Sequence, residues 1–356
     1  MVLAPQILRK LPIADPRPPE TRDDGRRNSA LWDRRGAMSL PVTVMTALPP
    51  VPPSPLVDHS VETLAACLDE AGFNPRHAAR ILRAHYAGGD PSAVRGLPRD
   101  LCRWLEQQVA VSAAAPAVRQ AAADGTVKLL PRLADGRTVE SVLMPDFRPD
   151  RAAGCLSSQV GCAMGCDFCA TTKTGFERNL TAGEIVAQFI ALRREAAATG
   201  RRLQTVVFMG MGEPMLNLDA VLTAVRRIAD NSLGGLGWRQ VTISTVGIVP
   251  GIDALTDEGL NVHLAVSLHA PDDATRARLL PMGRRFPIAD ILAAADRFQA
   301  RRGRPVTIQY CLLAGVNDST DHARTLATLL AGRRMHVNLL RYNPTGLSLR
   351  GITYRP

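Results

Sequence analysis

The sequence predicts an α/β protein: a partial (βα)6 barrel preceded by a small helical domain and a connecting β-hairpin. Three observations carry that expectation. From residue 153 onward, short β-rich runs alternate with amphipathic segments through six steps. Residues 56–115 instead space their apolar residues at helical intervals throughout. Between these regions, DGTVKLLPRLADGRTVESVLMP holds two strand-like runs around Ala134-Asp135-Gly136-Arg137, a hairpin signal.

In chain order, residues 1–55 come first, with 11 of the 26 prolines and no sustained period. Such a segment resists helix and sheet alike. It is expected to be a disordered leader, or the product of a start placed upstream of Met38 or Met45. Residues 56–122 form the expected helical domain, from LVDHSVETLAACLDEAG, NPRHAARILRAHYAG and LPRDLCRWLEQQVAV, with Gly72 and Gly88 as C-terminal stops. Residues 123–150 are the hairpin linker and 151–356 the barrel. Barrel strands are predicted at Gly154–Ser158, Thr205–Met209, Val241–Thr245, Val262–Leu268, Val306–Leu312 and His336–Tyr342. Thr181-Ala-Gly-Glu184 is a capping box opening a helix to about Glu195. Further helices are predicted from near Asn217, Pro250, Asp272, Pro287 and Ser319. Parallel strands with right-handed crossovers follow, and chemistry in such folds gathers at the strands' C-terminal ends.

At 356 residues the chain has room for two domains or slightly more, and 46% apolar residues suffice for a core. No stretch approaches the roughly 18 apolar residues of a membrane span, and MVLAPQILRKLPIADPRPPE lacks the apolar run of a signal peptide. A cytoplasmic protein is expected. Net charge is 43 − 33 = +10, which favours an anionic partner, nucleic acid first. There are 40 Arg against three Lys (Lys10, Lys128, Lys173). That ratio reads either as phosphate recognition or as codon bias in an Ala-rich chain. Arg193-Arg194, Arg284-Arg285 and Arg301-Arg302 are paired cations, a pattern that usually marks a solvated helix face.

Seven cysteines, an odd number, argue for metal or redox chemistry rather than a disulfide framework. Four lie within 15 residues: Cys155, Cys162, Cys166 and Cys169. Cys162-Ala-Met-Gly-Cys166-Asp-Phe-Cys169 is a CxxxCxxC pattern after a predicted strand. Three thiolates on one loop suit three corners of an iron–sulfur cube whose fourth iron stays open. A zinc site with a remote fourth ligand is the competing reading. Downstream, Phe208-Met-Gly-Met-Gly-Glu-Pro214 follows another strand. A carboxylate with backbone carbonyls there suits an ammonium group. By residue type alone, His269 reads as a structural histidine, Ser244 as turn-forming and Glu140 as a solvated charge.

In this context CxxxCxxC resembles the signature of radical S-adenosylmethionine (SAM) enzymes, and Gly212-Glu213-Pro214 resembles their GEP element. The resemblance narrows further. Cys155-Leu-Ser-Ser-Gln-Val-Gly-Cys162, GFERNLTAGEIV, VTISTVGIVPGI, LAVSLHAPDD, LAGVND and VNLLRYNP are similar, in order, to the RlmN/Cfr family from about residue 60 to 348. That family methylates carbon 2 or carbon 8 of an adenosine in 23S ribosomal RNA, and some members also act on transfer RNA. The resemblance implies a radical SAM barrel and a 4Fe-4S cluster on Cys162, Cys166 and Cys169. It implies SAM contacts from Gly212, Glu213, Ser244, Ser267, Leu268, His269 and Asn343. Glu140 matches the proton acceptor and Cys155 the cysteine that resolves a covalent RNA adduct. In the family cycle a methyl group first rides on a C-terminal cysteine and adds to the ring as a radical. A base then removes the ring proton, and the second thiolate attacks sulfur. A flavodoxin-like electron donor and a monomeric enzyme are also implied.

The sequence departs from the family at three places. Gln309 and Gly283 stand where relatives usually carry Glu and Asn. The family's ACGQL-like segment with the methyl-carrying cysteine would lie beyond Asn343, and no Cys follows Cys311. A truncated and catalytically incomplete member, part of a longer family protein, and substitution by Cys311 are the three readings. Loss of that segment would leave an apolar barrel edge uncovered. A different radical SAM reaction is a further alternative, disfavoured by the presence of Cys155 and Glu140.

Overall fold

The structure is a computed structural model and describes residues 55–112, 116–346 and 348–356; the side chains of 108–112 and 116–117 lie outside that description. All of the predicted leader but its last residue, Pro55, lies outside the described residues.

The helical region comprises α1 (Val61–Glu70), α2 (Ala78–Tyr86) and α3 (Arg99–Ser112). Ser60 caps α1 in a reciprocal box with Thr63. Leu64, Leu68, Ile81, Leu82, Tyr86, Leu101 and Leu105 are fully buried between these helices and the barrel. The join is made by arginines bonding backbone carbonyls. Arg227 donates to Val57 O at 2.7 Å and Asp58 O at 3.0 Å. Arg193 donates to Tyr86 O at 3.0 Å and Gly234 O at 2.7 Å, and Arg194 to Gly88 O at 2.9 Å. The Arg193-Arg194 pair is therefore a staple between substructures rather than a free cationic face.

One nine-stranded mixed sheet dominates. Its antiparallel part is β1 (Pro116–Ala121), β2 (Val127–Pro131), β3 (Ser141–Pro145) and β4 (Arg151–Cys155). From β4 it turns parallel through β7 (Arg202–Phe208), β8 (Val241–Thr245), β9 (His263–Ser267), β10 (Val306–Leu312) and β11 (Met335–Arg341). These are the six predicted barrel strands, adjacent in chain order. A separate ribbon pairs β5 (Gln159–Gly161) with β6 (Phe176–Asn179). Between strands run α4 (Ala182–Ala198), α5 (Leu218–Ala229), α6 (Val249–Asp257), α7 (Asp273–Leu279), α8 (Ile288–Arg302) and α9 (Thr320–Leu330). Thr181 and Glu184 form the predicted capping box.

β1 falls inside the span that the sequence assigns to helix. Its Ala-rich run carries no alternation, and its extended form comes from pairing with β2. β4 begins three residues before the predicted strand, because pairing with β3 starts at Ala152. β11 is an edge strand, with Val337 and Leu339 exposed.

Register places Lys128, Val142 and Cys155 side by side across β2, β3 and β4. The same rows continue through Val207, Thr242, Ser244, Ser267, Gln309 and Asn338. Because alternate residues share a face, these side chains line one face of the sheet. The opposite set (Val206, Phe208, Val241, Ile243, Leu264, Val266, Val306, Ile308) is buried and apolar. One face carries the helices; the other carries the chemistry.

Candidate active site

The cysteine loop leaves β5 and is fixed from several sides. Gly161 and Gly165 turn it with φ of 73° and 68°. Cys162 N donates to Gly175 O at 2.8 Å, and the Thr172 hydroxyl donates to the Cys166 and Cys169 carbonyls at 3.1 Å each. Asp167 N donates to Leu279 O at 2.9 Å, binding the loop to α7. The buried Asp167 carboxylate accepts from Arg350 N at 3.1 Å and the Tyr354 hydroxyl at 2.6 Å. Cys162 and Cys166 are buried and Cys169 half-buried. Burial pushes the Cys162 thiol up to about 11 and Cys166 well up, and the neighbouring thiols add to both shifts. Among the described residues no three His, Cys, Asp or Glu side chains converge on one ion position. Three thiols carried on one short loop suit three corners of an iron–sulfur cluster. Metal binding there would release protons from thiols that burial keeps protonated.

Glu213 sits beside this loop on the crossover after β7. Two glycines bring its segment close: a Cβ at Gly210 would lie 2.8 Å from Leu156 O, and one at Gly212 2.6 Å from Gln159 Cβ. Gly212 also adopts φ 99°. Glu213 N donates to Gln159 Oε1 at 2.9 Å. Its carboxylate accepts from Met215 N at 3.1 Å and Val246 N at 2.8 Å. Burial raises Glu213 to about 7, against the lowering effect of these amides. An ammonium ligand would supply the missing counter-charge.

Ser267 closes β9, and Leu268 and His269 follow it at the strand's C-terminal end. His269 is the one non-glycine residue with positive φ, 59°, among the described residues. Its Nδ1 accepts the Cys311 amide at 2.9 Å, and its ring meets Phe168 edge-on at 5.1 Å. Burial depresses its pKa to about 3. The ring is therefore neutral, and with Nδ1 accepting, Nε2 carries the proton. Phe168 belongs to the cysteine motif, so His269 is packed directly on that loop. Ser244 is buried near the end of β8, and Asn343 is half-buried just past β11. The side chains of Ser244, Ser267 and Asn343 share this end of the sheet. They make no hydrogen bond to the cysteines or Glu213 among the described residues.

Glu140 and Cys155 occupy the antiparallel side of the same end. Lys128 Nζ lies 3.0 Å from Glu140 Oε1. The Ser157 hydroxyl donates to Glu140 O at 2.5 Å and accepts from Met211 N at 2.8 Å, tying this corner to the Glu213 segment. Burial, with a smaller contribution from the Glu140 charge, pushes the Cys155 thiol up to about 12. At neutral pH the Cys155 thiol is therefore protonated. Cys311 is buried on the site face of β10, its thiol also pushed up to about 12 by burial.

Three side chains at the site escape a motif-based reading: Lys128, Gln159 and Arg276. Lys128 had one signal, being one of three lysines in an arginine-rich chain. Gln159 lies inside the CLSSQVGC motif without a distinguishing residue type. Arg276 is fully buried beneath the turn after β8, with nothing in the sequence to separate it from 39 other arginines.

A buried cysteine loop, a buried carboxylate beside it and a sheet presenting both at one end define a radical SAM enzyme. The radical SAM superfamily profile matches residues 156–327. The chain is 71% identical over 303 residues to the probable dual-specificity RNA methyltransferase RlmN 1 of Opitutus terrae, covering 85% of each chain. It is 42% identical over 293 residues to the dual-specificity RNA methyltransferase RlmN 1 of Myxococcus xanthus, covering 82% of this chain and 81% of that one. The crystal structure of a radical SAM methyltransferase from Sphaerobacter thermophilus superposes with a TM-score of 0.77 at 43% identity, over 82% of this chain and 86% of that one. The chain belongs to the RlmN family of radical SAM methyltransferases. Membership carries with it a 4Fe-4S cluster and SAM as cofactors.

Proposed function

We propose that this chain methylates an adenosine base of RNA, at carbon 2 or carbon 8, in 23S ribosomal RNA; transfer RNA, on which some members of the family act, is the second candidate substrate. One observation carries the reading. The Glu140–Lys128 pair and Cys155 lie at the same end of the sheet as the cysteine loop and Glu213. A base and a second thiol beside a radical site are what the methylation cycle requires, whereas radical formation alone requires neither.

In this reading Cys162, Cys166 and Cys169 would hold the cluster, which would supply the electron for reductive cleavage of SAM. Glu213 receives the SAM ammonium in place of the solvent that burial has removed. Gly212 lets that backbone approach closely. Ser244, Ser267, Leu268, His269 and Asn343 complete the SAM-facing rim, with His269 offering Nε2–H as a donor. Lys128 holds Glu140 Oε1 at 3.0 Å, which leaves the other oxygen to take the ring proton. Cys155 would release the product by attacking the sulfur of the methyl-carrying cysteine, which the family places beyond Asn343: the sulfur–sulfur bond forms as the sulfur–carbon bond breaks, and its electron pair leaves with the methylated base. Cys311, held by its strand, lacks the mobility of a methyl carrier. The net charge of +10 and the printed names of the relatives support an RNA substrate. A cytoplasmic monomer reduced by a flavodoxin-like donor completes the proposal. No described helix is long and apolar enough to cross a membrane.

The test is anaerobic. The chain is reconstituted with iron and sulfide, then given reductant, methyl-deuterated SAM and unmodified 23S RNA. Labelled methyladenosine in the digested RNA is the expected product. Deoxyadenosine without labelled RNA would contradict methyl transfer by this chain while leaving its radical chemistry intact.

A further inference from the structure

The three arginine pairs singled out in the sequence are used differently by the fold. Arg193-Arg194 bond the carbonyls of Tyr86, Gly234 and Gly88. Arg301 lies 3.9 Å from Asp257, and Arg302 bonds the carbonyls of Gly259 and Thr256 at 2.7 Å each. Arg284-Arg285 have neither kind of partner among the described residues. Both side chains are exposed, and the Arg285 guanidinium lies over the Phe286 ring, 5.5 Å from its centroid. Arg278, exposed on α7, is also without an ion pair among the described residues.

All three lie on the crossover between β9 and α8, which leaves the C-terminal end of β9. The crossover is packed on the cysteine loop: Leu279 O accepts the Asp167 amide at 2.9 Å, and a Cβ at Gly165 would lie 3.3 Å from Pro281 Cγ. The carboxylates at this end are engaged by other donors. Asp272 accepts from Thr275 N, Asp273 from Ile288 N and Asp318 from Gly315 N, at 2.8 Å each. Asp167 is buried and accepts from Arg350 N and the Tyr354 hydroxyl. Three exposed guanidiniums beside the site are thus left without a carboxylate of their own chain. Like charges held on one short segment repel, a cost that an anionic partner removes.

We propose that Arg278, Arg284 and Arg285 form a phosphate-binding rim for the RNA substrate, holding its backbone beside the cysteine loop so that the target base reaches the site. This rests on the RNA reading given above. Guanidinium forks match phosphate oxygens. Such contacts position the nucleic acid without reading its sequence. They also release counterions, so their number shows in the salt dependence of binding.

The test uses the whole reconstituted chain and unmodified 23S RNA, with binding read by filter retention at stepped salt concentrations. The rim variant combines Arg278→Gln, Arg284→Gln and Arg285→Gln. A control variant removes the same charge at the other end of the strands, with Arg148→Gln before β4, Arg201→Gln before β7 and Arg239→Gln before β8. The slope of log affinity against log salt should become shallower by about 2 to 3 in the rim variant, at roughly 0.7–0.9 per lost phosphate contact. The control should keep the wild-type slope. Each rim substitution alone should lower the slope by about 1, so the assignment does not depend on the triple variant. A wild-type slope in the rim variants would overturn it. So would an equal loss in the control, since net charge alone would then account for binding. A wild-type chain that retains no RNA at any salt concentration would instead sink the RNA reading itself.

Discussion

Lys128 Nζ lies 3.0 Å from Glu140 Oε1, with the lysine side chain 7% exposed and the glutamate 35% exposed. The lysine is the more costly partner to strand, because it has less water to fall back on. A double-mutant cycle of Lys128→Met and Glu140→Gln, followed by thermal unfolding, should give a coupling energy of about 1–2 kcal/mol. Additive effects would show that the pair is a surface contact with no bearing on Glu140's orientation.

Glu213→Gln should weaken SAM binding about 10- to 100-fold, the value of a hydrogen bond to a charged group. The glutamine oxygen still accepts one of the two amides from Met215 and Val246, so the fold should survive. Equilibrium dialysis with labelled SAM on the reconstituted chain measures this. Unchanged affinity would move the ammonium contact elsewhere.

His269 combines φ 59° with a buried acceptor for the Cys311 amide. Replacement by Ala should leave that N–H unsatisfied and cost about 1–3 kcal/mol in urea unfolding. His269→Asn should cost less, since Asn tolerates the left-handed region and keeps an acceptor. Equal losses would mean that neither the conformation nor the acceptor matters there.

His85 should make the stability of the fold depend on pH. It is buried in α2, and neither ring nitrogen has a partner among the described residues. Burial first, then the Arg194 charge, depress its pKa from 6.5 to about 4. The folded value lies below the unfolded one, so the stability it allows is complete above pH 6.5 and is lost as pH falls towards 4. The loss should reach about 2–3 kcal/mol, at 1.36 kcal/mol per pKa unit. Thermal unfolding at pH 7.5 and pH 4.5 should show a difference that shrinks in His85→Leu. A variant with the same pH dependence as wild type would assign the effect to other groups.

The barrel was legible because its strands are buried on the helix-facing side and end in turn signals. Thr181 and Glu184 cap α4 where the sequence placed them. The cysteine loop and Gly212-Glu213 stand out in the sequence because each is a fixed set of residue types at fixed spacing, and the structure brings the two segments together. β1 was not, since its extended form comes from β2 rather than from its own Ala-rich pattern. Arg276 and Lys128 act through burial and long-range contact, which a one-dimensional pattern does not encode. The paired arginines were ambiguous for the same reason. Arg193-Arg194 join two substructures and Arg302 bonds the carbonyls of Thr256 and Gly259, whereas the Arg284 and Arg285 side chains are exposed.

The most direct measurement is the EPR spectrum of the reconstituted, dithionite-reduced chain before and after SAM is added. A cluster of about four irons bound through three cysteines predicts a spectrum that shifts with SAM. That signal should vanish in Cys166→Ala and persist in Cys155→Ala. A metal site that depends on Cys155, or one indifferent to SAM, would contradict the account.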